Sequence, residues 1–190
     1  MLDYIAMGMV FDKARTGYDI KKEVESGIGF FIKASYGSLY PALKKLTEKG
    51  YLTMVEEPQG DRVKKYYRAT EPGKEAFLEW LAAPFDPNFS SGSLLAKVYF
   101  FDKLPSDIRK QQLQEYERHN RQILRKLQAV EKTCSDQDQE KYYMMSTLYF
   151  GLQFVQHNIR WFQHIEAQKP LSAFLQEETT QETEGELLHK

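Results

Sequence analysis

Apolar residues near the start of the chain recur at the spacing of helices. Residues 2–12 fit a helix of 3.6 residues per turn, and a second helix follows between Thr16, as its N-cap, and Ser26. Gly27 and Gly29 end this second helix, because glycine is the usual residue just past a helix terminus. The pattern therefore predicts two short helices that are connected by a turn.

A third helix contains a proline. Three leucines lie on one stripe of the stretch ASYGSLYPALKKL (34–46), yet Pro41 has no N–H to donate within a helix. If Ser38 is the N-cap, Pro41 is the third helical residue and breaks no backbone bond. If Ser35 is the N-cap, the helix is one turn longer and the Gly37 carbonyl loses its partner. Both registers are compatible with the apolar stripe.

The spacing of apolar residues then changes. Segments 51–57 and 63–69 predict two strands around the turn PQGDR, and Thr70 caps a further helix with Pro72 in its first turn. Three helices, a hairpin and a helix within about 80 residues are the order of a winged helix–turn–helix domain, whose third helix normally enters the DNA major groove. The sequence thus predicts a mainly α fold with a small β-hairpin in this domain.

The second half of the chain predicts a helical domain. We expect a winged helix–turn–helix domain at 1–83, a Pro-, Ser- and Gly-rich linker at 84–93, a helical dimerisation domain at 94–169 and a disordered acidic tail at 170–190. The last helix of the helical domain has two apolar stripes and therefore needs two packing partners, its own domain and a second subunit. The first stripe, predicted to mediate dimerisation, comprises Met145, Leu148, Leu152, Val155, Ile159 and Phe162. The second comprises Phe150, Phe154, Trp161 and Ile165.

One polar residue interrupts the apolar spacing of the preceding helix. Asn120 occupies a coiled-coil core position, where a single polar side chain can fix register or oligomeric state. A local hydrogen bond or a partly exposed position would explain it equally well. His157 and His164 are two turns apart on the last helix, a spacing that does not suit zinc, so we expect no metal site.

Positive charge is concentrated in two short segments of the chain. The chain has 190 residues and a net charge of −1, but 33–49 and 60–68 are both strongly basic. Its only cysteine, Cys134, excludes a disulfide within the chain, and no apolar run could span a membrane, so we expect a cytoplasmic protein. We recognise no catalytic motif or phosphate-binding loop, and we expect no enzyme activity and no cofactor.

Several of these segments together resemble the PadR family of bacterial transcriptional regulators. The matching stretches are YIAMGMV, TGYDIKKEV, FFIKASYGSLYPALKKLTEKGYL and GDRVKKYYRATEPGKEAF. The helical remainder resembles the longer C-terminal domain of one branch of the family. Two positions depart from the family pattern: Ile32 stands where tryptophan is frequent, and Val63 follows the wing arginine where proline is frequent.

The resemblance implies a homodimeric regulator, which we expect to be a repressor, bound to a two-fold double-stranded DNA operator. It also favours Ser35 as the N-cap, because it places DNA contacts before Pro41. Arg62 in the wing, attracted to a narrow minor groove, is the residue that we consider most important there. The predicted DNA contacts are Lys33, Ser35, Tyr36, Ser38, Tyr40, Lys44, Lys45, Arg62, Lys64 and Lys65.

Two alternatives remain open at this point. Tyr149, Phe154 and Trp161 can line a pocket for a small aromatic effector, or serve only as packing in the dimer. The near-zero net charge keeps a second function open beside the DNA-binding regulator, a winged-helix protein–protein adaptor without sequence-specific DNA binding.

Overall fold

The computed structural model describes residues 1–32, 35–60, 62–84, 91–133 and 141–175. The chain divides into two compact units, Met1–Arg109 and Lys110–Lys190. The segment 94–109, which the sequence places in the helical domain, falls in the first unit. In the described part of the chain no helix is both long and apolar enough to cross a membrane.

In its described residues the first unit contains five complete α-helices, three of which begin at a capping side chain. Thr16 caps α2 and forms a capping box with Asp19, and Thr70 caps α4 by accepting a hydrogen bond from the Gly73 N–H. Both predicted N-caps are confirmed. The helices are α1 (Leu2–Met9), α2 (Gly17–Ser26), α3 (Tyr36–Glu48), α4 (Glu71–Ala82) and α5 (Ser91–Tyr99), with short 3-10 helices at Ile28–Phe30 and Phe101–Lys103.

The sheet of this unit is larger than the predicted hairpin. β2 (Leu52–Gln59) and β3 (Arg62–Ala69) pair antiparallel, and a two-residue strand, β1 (Arg15–Thr16), pairs with the other edge of β3. The sequence pattern missed β1 because two residues are too few to show an alternation. Gly60, next to the hairpin turn, has a φ of +61°, which glycine adopts without strain.

The core of the first unit is formed where α1, α3 and α4 meet. Phe77 is completely buried and contacts the rings of Phe11 and Phe100, which joins α4 to the residues that follow α1 and α5. The Tyr4 and Trp80 rings stack with their centroids 4.7 Å apart. These ring contacts stabilise the core that supports α3 and the hairpin. The completely buried aliphatic residues here include Ile5, Ile20, Val24, Leu39, Leu43 and Leu81.

The second unit contains most of α6 (Ser106–Glu131) together with α7 (Tyr142–Glu166). Tyr116 of α6 stacks on Phe162 of α7, with ring centroids 5.4 Å apart. The side-chain amide of the buried Asn120 donates to the Tyr116 backbone carbonyl, and the side-chain amide of Asn158 in α7 donates to the Asn120 Oδ1 at 3.4 Å. The polar core position therefore makes a local hydrogen bond and also contacts the partner helix in the same chain.

The predicted disordered tail begins with an ordered segment. Residues 171–175 are helical, and Phe174 lies against the rings of His157 and His164. The prediction of disorder is thus wrong for these residues, because Phe174 provides an apolar contact that the acidic composition concealed. The rest of the predicted tail, 176–190, lies outside the described residues.

Candidate nucleic-acid interface

The hydrogen bonds at the start of α3 show which of the two candidate N-caps, Ser35 or Ser38, is used. Ser38 donates its backbone N–H to the Ser35 hydroxyl at 3.2 Å, and Ser35 donates its own N–H to the Ser38 hydroxyl at 3.0 Å. This reciprocal pair is a capping box, which confirms Ser35 as the N-cap. Both hydroxyls satisfy backbone groups of the helix terminus, so their first role is to set where α3 begins.

Pro41 lies inside α3, on its exposed face. Its missing N–H leaves the Gly37 carbonyl without a helical partner, and both residues are exposed. A Cβ at Gly37 would meet only the Ser35 hydroxyl oxygen, at 3.7 Å. The backbone of α3 is therefore accessible at this point, as close approach to a DNA groove requires. The opposite face buries Leu39, Ala42, Leu43 and Leu46.

The lysines of α3 differ in how far they are neutralised. Lys44 is 79% exposed and lies 3.7 Å from the Glu48 carboxylate, a loose surface pair. Lys45 donates to the Asp3 carboxylate at 2.6 Å, and this hydrogen bond raises the pKa of Lys45. Lys44 is thus the more available phosphate ligand. Lys33 and the side chain of Tyr36 lie outside the described residues.

The hairpin carries less net positive charge than its second strand alone. The antiparallel register places Glu56 opposite Lys65 and Glu57 opposite Lys64. Lys65 lies 3.2 Å from the Glu56 carboxylate, while Arg62 is exposed and forms no ion pair with a described residue. Arg62 is therefore the most available cation of the wing.

Tyr40 occupies the junction between α3, the start of α2 and the wing. Its ring packs so closely on Gly17 that a Cβ there would lie 2.8 Å from a ring carbon. The half-exposed Tyr40 side chain then lines a cleft of about 360 Å³, together with residues of β3. Tyr40 consequently holds the third helix against α2, a role that its prediction as a DNA contact did not include.

The predicted DNA contacts whose side chains the structure describes are all exposed on α3, its N-cap or β3 of the first unit. Ser38, Lys44, Arg62 and Lys64 are all exposed on α3 or β3. The sequence pattern did not indicate Asp3, nor Tyr18 and Asp19 in the cleft beside Tyr40, because their proximity to the predicted contacts depends on the tertiary packing of α1 and α2. A group of metal-ligating side chains does not occur among the described residues.

Comparison with known proteins identifies the family of this chain. Residues 7–79 match the model described as "Transcriptional regulator PadR-like family", and residues 93–168 match "Virulence activator alpha C-term". The negative transcriptional regulator PadR of Bacillus subtilis is 34% identical over 122 residues, which cover 60% of this chain and 66% of that protein. The chain belongs to the PadR-like family of transcriptional regulators. This membership confirms the predicted class of protein, a regulator and not an enzyme.

Solved structures of PadR-like and related proteins are also similar to the chain. The crystal structure of Bacillus subtilis PadR in complex with operator DNA is 25% identical, covers 88% of this chain and 98% of that chain, and gives a TM-score of 0.43. The structure of the Vibrio cholerae virulence activator AphA is 26% identical, covers 91% of this chain and 99% of that chain, and gives a TM-score of 0.41.

The two apolar stripes of α7 differ in accessibility in this PadR-like chain. Within the single chain five of the six side chains predicted to mediate dimerisation are buried, and Leu148 is half-buried. The second stripe remains accessible, with Phe150 72% exposed and Phe154 43% exposed. Tyr149 is also exposed, whereas Trp161 is half-buried. The exposed stripe, not the buried one, is available to a second molecule.

Proposed function

We propose that this chain is a homodimeric transcriptional repressor that binds a two-fold duplex DNA operator through α3 and the wing. The observations that carry the proposal are the exposed Gly37, Pro41 and Lys44 of α3 and the exposed Arg62 of the wing. An accessible helix backbone suits a groove, and the flanking cations suit phosphates. The relative that is named a negative regulator supports repression, and binding to chromosomal DNA is consistent with a cytoplasmic location.

Selection of bound sequences from random duplex DNA by the full chain tests this function. A two-fold consensus is expected, because each subunit of a symmetric dimer reads one half-site. Affinity for the selected duplex should fall steeply as salt rises, since bound phosphates release counterions. If the folded protein shows no salt-dependent retention of duplex DNA, the function is wrong.

The exposed stripe of α7 supports the homodimer. Phe150 and Phe154 stack with ring centroids 6.1 Å apart, and Tyr143 on the same face is 83% exposed. Exposed aromatic residues that follow one another along a helix commonly mark an interaction surface. A second copy of α7 would cover this stripe while the buried stripe packs within its own chain.

Control by a small aromatic effector is a further part of the proposal. Tyr149 and Phe154 are accessible on α7, and Trp161 is half-buried two turns from Phe154. Titration of the Trp161 fluorescence with phenolic acids and hydrophobic cations, in a Trp80→Phe background, tests it. Saturable quenching is expected for an effector site, and an unchanged signal across the series would leave these side chains as packing.

A protein–protein adaptor is the second candidate, and a specific observation favours it. Lys45 is paired with Asp3 and Lys65 with Glu56, so two predicted phosphate ligands are already neutralised within the chain. In the selection experiment an adaptor would yield no DNA consensus, and its affinity for duplex DNA would not rise as the salt concentration is lowered. The same selection experiment therefore separates the two functions.

A further inference from the structure

The chain folds back on itself immediately after α7. Gln168 has a φ of +50°. Its N–H donates to the Ile165 carbonyl at 3.2 Å, and the Lys169 N–H donates to the His164 carbonyl at 3.3 Å. These two hydrogen bonds form a Schellman motif, which ends a helix and turns the chain. Because this left-handed conformation favours glycine, the glutamine strains the backbone, and contacts of the segment that follows must offset the strain.

The segment that follows the turn, residues 170–175, lies against α7, and we call it the strap. Its Phe174 ring meets two imidazole rings edge-on, with centroids 5.4 Å from His157 and 5.2 Å from His164. The Pro170 carbonyl oxygen lies 3.0 Å from His164 Nε2. Leu171 is 68% exposed, so the strap packs on α7 with one side and leaves the other side open.

The strap covers the C-terminal end of the exposed stripe of α7. Steps of three, four and seven residues place His157 and His164 on the same face of the helix as Phe150 and Phe154. Exposure falls along this face, from 72% at Phe150 and 43% at Phe154 to 3% at His164. The stripe is therefore continuous, but its C-terminal end is already occupied by the side chain of Phe174.

Helix α6 packs on a different side of this end of α7. The Gln163 amide donates to the Glu117 carboxylate at 2.8 Å, and the Glu166 carboxylate accepts from the Gln114 amide at 2.8 Å. Gln163 and Glu166 lie about 100° and 160° around the helix from His164. His164 is thus turned away from α6, and the strap contacts it on the side of the exposed stripe.

We infer that the strap competes with a second copy of the chain for the C-terminal end of this stripe. The inference rests on the proposed homodimer, in which a second α7 covers the stripe. While the strap is closed, a second copy can contact the part around Phe150 and Phe154. The part around His164 becomes available only when Phe174 leaves it. The strap consequently keeps dimerisation, and with it binding to a two-fold operator, weaker than the complete stripe would allow.

Removal of the Phe174 ring should strengthen dimerisation. In Phe174→Ala the strap loses both ring contacts, and we expect the dimer dissociation constant, measured by sedimentation of labelled protein over a concentration series, to fall about tenfold. Leu171→Ala is the matched control, because it shortens an exposed apolar side chain of the same strap and should leave the constant unchanged. An equal or weaker dimer in Phe174→Ala would overturn the inference, while a dimeric wild type would still support the proposed function.

The reactivity of His164 towards diethylpyrocarbonate, mapped by mass spectrometry, shows what covers this end of α7. The wild type should be protected at every protein concentration, because the strap covers the imidazole. In Phe174→Ala we expect modification of the dilute monomer and renewed protection at concentrations where it dimerises. Phe174→Ala combined with Phe150→Glu should stay reactive at both concentrations, because it cannot dimerise through the stripe. Reactivity of Phe174→Ala that does not depend on protein concentration would overturn the inference.

Discussion

Lys45 of α3 lies 2.6 Å from the Asp3 carboxylate of α1, so a lysine predicted to bind phosphate is neutralised by the first helix. The pKa of Lys45 is raised by this hydrogen bond, and its ammonium stays charged throughout the physiological range. The pair ties the exposed edge of α3 to α1. It also reduces the positive charge that α3 presents to DNA.

Removal of the Asp3 charge should therefore strengthen DNA binding. Asp3→Asn frees Lys45 to contact a phosphate. We expect a gain in affinity of about two- to fivefold at low salt, and a slope of log affinity against log salt that is steeper by about one. Filter binding or fluorescence anisotropy over a salt series measures both quantities. Asp102→Asn controls for net charge, and equal behaviour of the two variants would place Lys45 outside the interface.

Substitution of Gly37 should change stability and DNA binding in opposite directions. A Cβ there meets only the Ser35 hydroxyl oxygen at 3.7 Å, so Gly37→Ala fits and should raise the free energy of unfolding by about 0.5–1 kcal/mol. The added methyl group lies on the exposed face of α3 and should weaken operator binding by obstructing close approach to the groove. Chemical denaturation and DNA titration of the same preparation test both expectations.

Gly17→Ala is the contrasting variant. Its Cβ would lie 2.8 Å from the Tyr40 ring, so we expect a loss of about 1–3 kcal/mol in stability. A Gly37→Ala protein that is less stable than wild type, or one that binds DNA unchanged, would contradict the role assigned to the open α3 backbone.

Local signals in the sequence predicted the helix termini well. Thr16 and Thr70 are short polar side chains ahead of apolar periodicity, and each caps its helix in the structure. For α3 the spacing allows Ser35 or Ser38 as the N-cap, and the family resemblance favours Ser35, which is the N-cap in the structure. Long-range pairings left no such signal. The Asp3–Lys45 pair joins residues 42 positions apart, and the acidic side chains opposite Lys64 and Lys65 follow only from the strand register. Charge counted along the sequence therefore overstated the positive potential of the interface.

The two stripes of α7 could be recognised from spacing, but not their partners. Spacing shows that a helix has two apolar faces, and it does not show which face its own domain covers. The choice depends on where α6 packs, which is set by contacts such as Tyr116 with Phe162. In the structure the stripe predicted to mediate dimerisation is largely buried within its own chain, whereas Phe150 and Phe154 of the other stripe are exposed.

Substitutions two residues apart on α7 should consequently have different effects. Phe150→Glu places a charge on an exposed side chain, so we expect folded monomers with unchanged helical circular dichroism and weakened operator binding. Leu152→Glu buries a charge at a position that is only 6% exposed, and we expect loss of the helical fold itself. Sedimentation together with circular dichroism distinguishes the outcomes. A Phe150→Glu protein that stays dimeric would exclude the exposed stripe as the interface.

Stability at alkaline pH should report the packing of Tyr116. Burial, with a smaller contribution from the Glu115 charge, raises the pKa of Tyr116 from 10.0 to about 12. The unfolded chain loses this proton near pH 10 while the folded protein keeps it, so stability falls as pH rises from 10 to 12. Tyr116→Phe should remove about 1.4 kcal/mol of that loss, measured as the difference between the two proteins in urea denaturation at pH 8 and pH 11. Identical pH dependence would show that Tyr116 is accessible to solvent.

The two most available cations of the proposed interface should act together on salt dependence. Lys44 is 79% exposed on α3, and Arg62 is exposed on the wing. If each binds one phosphate, the double variant Lys44→Ala, Arg62→Ala should lower the slope of log affinity against log salt by about two. Lys74→Ala is a suitable comparison, because it removes a lysine of α4 that is already paired with Glu71 at 2.7 Å. A slope that stays the same in the double variant would remove both residues from the DNA interface, even if affinity at one salt concentration changed.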